Sequence, residues 1–187
     1  VGIVEKESIK KSDLPKNNDF LISLKSSGLH SNGFSLVREL IKRKKINLKN
    51  KIGNKTIGEI ILKPTKIYVK EILELKKKIN IKAIAHITGG GLTGNLERII
   101  PKNMKITLFK NTLFNFHKKL FLMLKKASNL SDIEMLETFN CGNGMVLVVN
   151  KNDLKKAEKY LVKLRLRYKV IGQFSSLKKG DGKITIE

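Results

Sequence analysis

The chain has 187 residues, 39 Lys+Arg against 16 Asp+Glu, and a formal net charge of +23. With 41% hydrophobic residues in regular runs it is no disordered polycation, and no apolar stretch reaches the roughly 20 residues that a membrane-spanning helix needs. Cys141 is the single cysteine, which excludes an internal disulfide scaffold.

Residues 3–9 read as a strand, followed by a polar turn at Ser12, Asp13 and Pro15. A second strand covers 20–24. The small polar loop 26–33 precedes a helix in which Phe34, Val37, Leu40 and Ile41 share a face, with Ser31 and Asn32 as cap residues. Residues 42–55 form a basic exposed connection, and 56–62 a short helix. Pro64 suits the first turn of the next helix, which carries Ile67, Val69, Ile72 and Leu75 and ends near Lys78. Residues 81–88 read as a buried strand running into Gly89, Gly90 and Gly91. A short helix over 95–100 follows, stopped by Pro101. Next come a strand at 105–109, a helix at 114–124, and a helix opened by the capping-box pair Ser131 and Glu134. Residues 145–149, 153–164 and 170–174 make a strand–helix–strand unit. Gly180-Asp181-Gly182 then turns the chain so that 183–187 pairs with the strand before it. The fold class is α/β, with α+β character: a single three-layer domain whose helices cover a mixed β-sheet.

The charge is mostly lysine. Five of the 39 basic residues are arginines: Arg38, Arg43, Arg98, Arg165 and Arg167. Lys, Asn and Ile share A/T-rich codons, so compositional drift accounts for much of the excess. Nucleic-acid readers lean on Arg and exposed aromatics, whereas aromatics are 6% here and Trp is absent. A nucleic-acid partner is therefore not expected. A polyanion-binding module remains the alternative, decided by whether the cations gather on one face. One thiol, no membrane span and no leader pattern lead us to expect a cytoplasmic protein. The chain opens on Val1 inside an apparent strand, so a piece of a longer protein is expected.

Three loops could carry chemistry. Gly89, Gly90 and Gly91 lie between a strand and a helix, where backbone N–H groups suit an anion. Their spacing matches neither the P-loop nor the dinucleotide loop, and a tight turn would need the same glycines. His30 with Ser31, Asn32 and Gly33 could present donors to a ligand or serve as a plain helix start. His86 sits in an apolar strand, the usual place of a satisfied core histidine. Two histidines, each beside a Gly-containing loop, make a convergent site the competing reading. Cys141 has no thiolate-stabilising neighbour in sequence and reads as structural, with Asn140 a candidate backbone or ligand contact. Three histidines without ligand spacing give no metal site. Lys66 and Arg98 are the cations best placed by their motifs to meet an anion.

In combination these segments resemble one family. They are SSGLHSNGFSLVR at 26–38, PTKIYVK at 64–70, AHITGGGL at 85–92 with Asn95, Arg98 and Pro101, and TFNCGNGM at 138–145 behind Glu134 and Met135. The family is phosphoribosylformylglycinamidine cyclo-ligase (aminoimidazole ribonucleotide synthetase), and the resemblance runs over essentially the whole chain. It implies that residues 1–187 are the C-terminal, substrate-cleft domain of a two-domain homodimeric enzyme of de novo purine biosynthesis. The absent N-terminal half would supply most contacts to ATP and Mg2+. Such enzymes use ATP to activate the amide oxygen of formylglycinamidine ribonucleotide, and a nitrogen then closes the imidazole ring. The resemblance further implies that His30 and His86 are catalytic. Ser31, Asn32, Gly33, Thr88, Gly89, Gly90, Gly91, Asn95, Arg98 and Asn140 would hold the phosphorylated ribonucleotide, and the isolated half would be inactive. Three positions depart from the family pattern. Lys66 replaces a common Arg, Glu97 a common Pro, and Glu137 a frequent Arg. The last reverses a charge and keeps a non-catalytic homologue as a further alternative.

Overall fold

The computed structural model describes Ile3 and residues 14–187. The rest of the strand expected over 3–9, with Ser12 and Asp13 of the turn, lies outside the described residues. Among the described residues the chain order is β1 (Phe20–Lys25), α1 (Phe34–Lys42), β2 (Lys51–Ile52), β3 (Lys55–Thr56), α2 (Ile57–Ile61), α3 (Val69–Lys76), β4 (Ile81–His86), α4 (Gly91–Glu97), β5 (Met104–Leu108), α5 (Lys118–Ser128), α6 (Asp132–Thr138), β6 (Asn143–Val149), α7 (Leu154–Lys163), β7 (Tyr168–Ser176) and β8 (Ile184–Ile186).

The main sheet has six strands in the order β4-β6-β1-β7-β5-β8. Every neighbouring pair is antiparallel except β5 with β8. Successive strand residues point to opposite faces, so β1 and β6, with both faces covered, read as unbroken apolar runs. Leu21, Val146 and Val148 face one core, under α1, α4, α5 and α6. Ile22, Leu24, Leu147 and Val149 face the other, under α3 and α7. The result is the expected three-layer α/β domain with a mixed sheet. The strand–helix–strand unit forms as β6, α7 and β7, with β1 inserted between its two strands. At the sheet's edge the Lys82 ammonium on β4 meets the Asp19 carboxylate at 2.8 Å, both almost fully buried, tying β4 to the chain that enters β1.

Five local expectations are corrected. The short helix expected over 95–100 spans Gly91–Glu97 instead, with Gly90 as its left-handed N-cap. The helix expected from Pro64 begins at Val69, because residues 64–66 are held by tertiary bonds instead: Ser27 Oγ donates to the Pro64 carbonyl and the Lys66 N–H to His30 Nε2. The helix expected from Phe114 begins at Lys118, since Phe114 and His117 both take left-handed φ. The α1 cap is Gly33, at φ 70° and without a side-chain bond, rather than Ser31 or Asn32. The C-terminal strand does not fold back on β7. It pairs in parallel with the outer edge of β5, where Ile184 and Ile186 pack on the core and the Asp181 carboxylate meets Lys105 on β5 at 2.9 Å.

Candidate functional site

The topology gathers three loops at one end of the sheet. Strands β1 and β4 flank β6 and both run antiparallel to it. Their C-terminal ends therefore emerge together, beside the start of β6. Loops 26–33, 87–90 and 139–142 leave from these three points.

Buried amides knit the loops together. Asn140 Nδ2 donates to the carbonyls of Gly28 and Leu29, at 3.0 and 2.8 Å. Asn32 Nδ2 donates to those of Leu29 and Ile87, at 3.2 and 3.3 Å. Asn95 Nδ2 faces the carbonyls of Thr88, Gly89 and Gly91, the last at 2.7 Å. All three asparagines are buried. Irregular backbone cannot stay buried with its carbonyls unpaired, and these amides are what satisfy them.

A row of three rings crosses the site. His30 and Tyr68 lie edge to face with centroids 6.3 Å apart, and Tyr68 and His86 at 6.4 Å. His30 is buried. Its Nε2 accepts the N–H groups of Ser27 and Lys66, which assigns the ring proton to Nδ1. Nδ1 is itself buried without a partner among the described residues. Burial first, then the neighbouring His86, His117 and Lys66, push the His30 pKa down to about 4. Tyr68 donates its hydroxyl to the Lys25 carbonyl at 2.8 Å, and burial pushes that hydroxyl's pKa up.

His86 is exposed, not a core residue. Strand β4 lies at the sheet's edge, and the face carrying Ile84 and His86 opens on a groove of about 470 Å³ shared with Lys66, Tyr68, Ile72 and Met145. Ile67, Val69 and Leu73 on its rim are more than half exposed.

Of the remaining sequence candidates, Ser31, Gly89 and Gly90 are exposed at this end of the sheet. Gly33 packs against the Phe139 ring. Thr88 is half-buried and bonds Asn95 Oδ1 through its hydroxyl. Gly91 is buried against the end of α6. Arg98 is exposed two turns down α4, away from the loops. Glu97 and Glu137 are exposed as well. Sequence reasoning missed Tyr68 as a site residue, because its segment reads as the apolar side of a helix. It also missed why position 144 is Gly: a Cβ there would lie 1.9 Å from the Tyr68 hydroxyl and 2.7 Å from His30 Cε1.

Cys141 is fully buried, its thiol donating to the Met135 carbonyl. Burial, and secondarily Asp132, raise its pKa well above the ordinary thiol range. The native chain is therefore expected to resist an aromatic disulfide reagent and to react with one equivalent after denaturation. Rapid labelling of the folded chain would contradict this burial.

The family model described as AIR synthase related protein, C-terminal domain, matches residues 16–184. The phosphoribosylformylglycinamidine cyclo-ligase of Ligilactobacillus salivarius is 42% identical over 189 aligned positions, covering 99% of this chain and 54% of that protein. The protein of the same name from Finegoldia magna is 43% identical over 173 positions, covering 92% and 50%. The chain spans about half the length of the curated relatives it matches. Among solved structures, thiamine-monophosphate kinase from Stenotrophomonas maltophilia superposes with a TM-score of 0.59 at 16% identity, covering 94% of this chain and 52% of that one. E. coli HypE, a hydrogenase maturation protein, superposes with a TM-score of 0.61 at 18% identity, covering 93% and 47%. These two likenesses concern the fold alone.

Proposed function

The chain belongs to the AIR synthase related protein family, as its C-terminal domain, and on that premise we propose that it is the substrate-cleft half of a phosphoribosylformylglycinamidine cyclo-ligase. The observation that carries this reading is identity above 40% with such cyclo-ligases over nearly the whole chain, in a fold that draws the loops at 26–33, 87–90 and 139–142 together. The reaction is the ATP-dependent closure of formylglycinamidine ribonucleotide to aminoimidazole ribonucleotide, carried out in the cytoplasm by a homodimer of the two-domain enzyme.

The side chains divide the work. His86, exposed at the groove, meets the reacting amide and donates to or polarises its oxygen. His30 stays neutral at physiological pH, and its Nδ1–H, without a partner among the described residues, serves as a fixed donor rather than a proton shuttle. Ser31 and the exposed backbone at Gly89 and Gly90 face the substrate phosphate. Asn95 and Asn140 are positioning residues whose amides are spent on the loops; Asn32 binds them through Nδ2, while its buried Oδ1 has no partner among the described residues. ATP, when bound, supplies the phosphoryl group that activates the amide oxygen. Among the described residues no three His, Cys, Asp or Glu side chains gather as a metal set, and we assign Mg2+ with ATP to the N-terminal half. That half would also cover the apolar rim at Ile67, Val69 and Leu73.

A coupled ATPase assay with formylglycinamidine ribonucleotide tests the reading. The 187-residue chain alone is expected to be silent, and adding the N-terminal half of the enzyme to restore turnover. Turnover by the chain alone would sink the half-enzyme claim. In the full-length enzyme, His86→Ala is expected to lower kcat/KM about tenfold, the cost of one hydrogen bond to a charged or charging group. Unchanged constants would remove His86 from the site.

A further inference from the structure

We propose that the cavity between the end of β1, the segment 63–66 and the turn from α7 into β7 is a binding site for the phosphoryl group of a phosphorylated small molecule, held by Lys25, Lys63, Lys66, Arg165 and Arg167. The cavity measures about 230 Å³, and among the described residues no carboxylate lines it. Its five cations come from three separate parts of the chain, at 25, 63–66 and 165–167, and converge only in the fold.

Lysine drift does not account for this gathering. Arginine is scarce, five residues in the chain, and two of the five line this one cavity. The ion pairs found among the described residues use other cations: Arg43, Lys77, Lys82, Lys105 and Lys125. Among the described residues the five thus stand together without a carboxylate in the cavity. Lys25 registers the repulsion: burial, then Arg167, Lys63 and Lys66, push its amine below the ordinary lysine range. Like charges held at close range are unfavourable until an anion enters between them.

The neutral polar groups of the wall point to the same ligand. Ser26 Oγ donates to the Gly28 carbonyl, Ser27 Oγ to the Pro64 carbonyl, and His117 Nε2 is bonded to the Ser26 carbonyl. The donors left for a ligand are therefore ammonium and guanidinium groups, and the guanidinium fork matches phosphate oxygens in pairs. The volume admits a phosphoryl or diphosphoryl group. A neighbouring cavity of about 420 Å³, which shares Ser27, Lys63 and His117, adds Ile52, Ile60 and Leu120 and leaves room for an organic body. His86, Gly89 and Gly90 do not line the basic cavity, whereas Lys66 lines both it and the groove beside His86.

Calorimetric titration of the 187-residue chain with inorganic pyrophosphate, without Mg2+ and at about 150 mM salt, tests it. One saturable site per chain is expected. The exposed pair Arg165→Gln/Arg167→Gln should weaken binding at least about tenfold, and Lys63→Gln on the opposite wall about threefold. Lys155→Gln/Lys156→Gln on the exposed side of α7 removes the same charge elsewhere and should change affinity less than about twofold. Equal losses in the two double variants, or no saturation in the parent chain, would overturn the site. Tighter binding of a duplex oligonucleotide, abolished by the Arg165/Arg167 pair, would make this a nucleic-acid surface and overturn the small-molecule assignment.

Discussion

Replacing Gly91 with alanine is expected to cost about 3 kcal/mol of folding stability, at the upper end for an overpacked core, whereas the same change at Gly89 costs almost nothing. A Cβ at Gly91 would lie 2.2 Å from the Leu136 carbonyl oxygen and 2.5 Å from the Glu137 carbonyl carbon and oxygen. That obstacle is backbone at the end of α6 and cannot swing aside as a side chain would. The position also holds φ at +65°, which accounts for about 1 kcal/mol of that total in a residue with a Cβ. Gly90 carries the conformational part alone, at φ +92° with its nearest neighbour 3.9 Å away, and about 1 kcal/mol is expected there. Gly89 has nothing within 4 Å among the described residues and no left-handed φ. Urea and thermal unfolding of the three variants should rank them Gly91, Gly90, Gly89, with the Gly91→Ala melting temperature lower by roughly 6–12 °C. A Gly91→Ala chain as stable as its parent would mean that α4 and α6 do not approach this closely. The ranking also isolates function. If Gly89→Ala leaves stability intact but slows the full-length enzyme, the backbone at position 89 touches the ligand.

In the sequence these three glycines look alike, and the reason lies in α6, 45 residues further on. The same limit recurs across the chain. Strands β1 and β6 are legible because both of their faces are buried, and α6 because its Ser131–Glu134 capping box is local chemistry. The left-handed residues Phe114 and His117, which delay α5, leave no trace in spacing. The partner of β8 is set by contacts remote in sequence: Ile184 and Ile186 pack on the core, and Asp181 pairs with Lys105, 76 positions away. The site divides the same way. The loop motifs are readable, and the topology does bring them together. Which of their polar residues face outward is not readable. Asn32, Asn95 and Asn140 have the composition of ligand-binding residues, yet the NH2 groups of all three are consumed by buried carbonyls. His86 has the setting of a core residue and is exposed, because nothing local says that β4 ends the sheet.

Acid is expected to unfold this chain through His30 before most carboxylates titrate. Its pKa is about 4 in the folded chain and near 6.5 when unfolded. Between those values the unfolded chain takes up a proton that the folded chain refuses, so stability rises with pH. The contribution is fully present above pH 6.5 and is lost as pH falls toward 4. Over the whole interval the loss amounts to roughly 3 kcal/mol. His117, also lowered chiefly by burial, acts in the same direction. The carboxylates of Glu59, Glu134 and Asp181, lowered by hydrogen bonds to their partners, add losses only at more acid pH. His30→Gln separates these contributions. Its amide oxygen can still accept the Ser27 and Lys66 N–H groups that Nε2 holds now, but it does not titrate. Urea midpoints measured from pH 7.5 to 4.5 should fall more steeply for the parent chain than for the variant, with the gap opening below pH 6.5. Parallel curves would mean that His30 is free to take a proton in the folded state. It would then be able to shuttle protons at neutral pH, and its role as a fixed neutral donor would fall with the prediction.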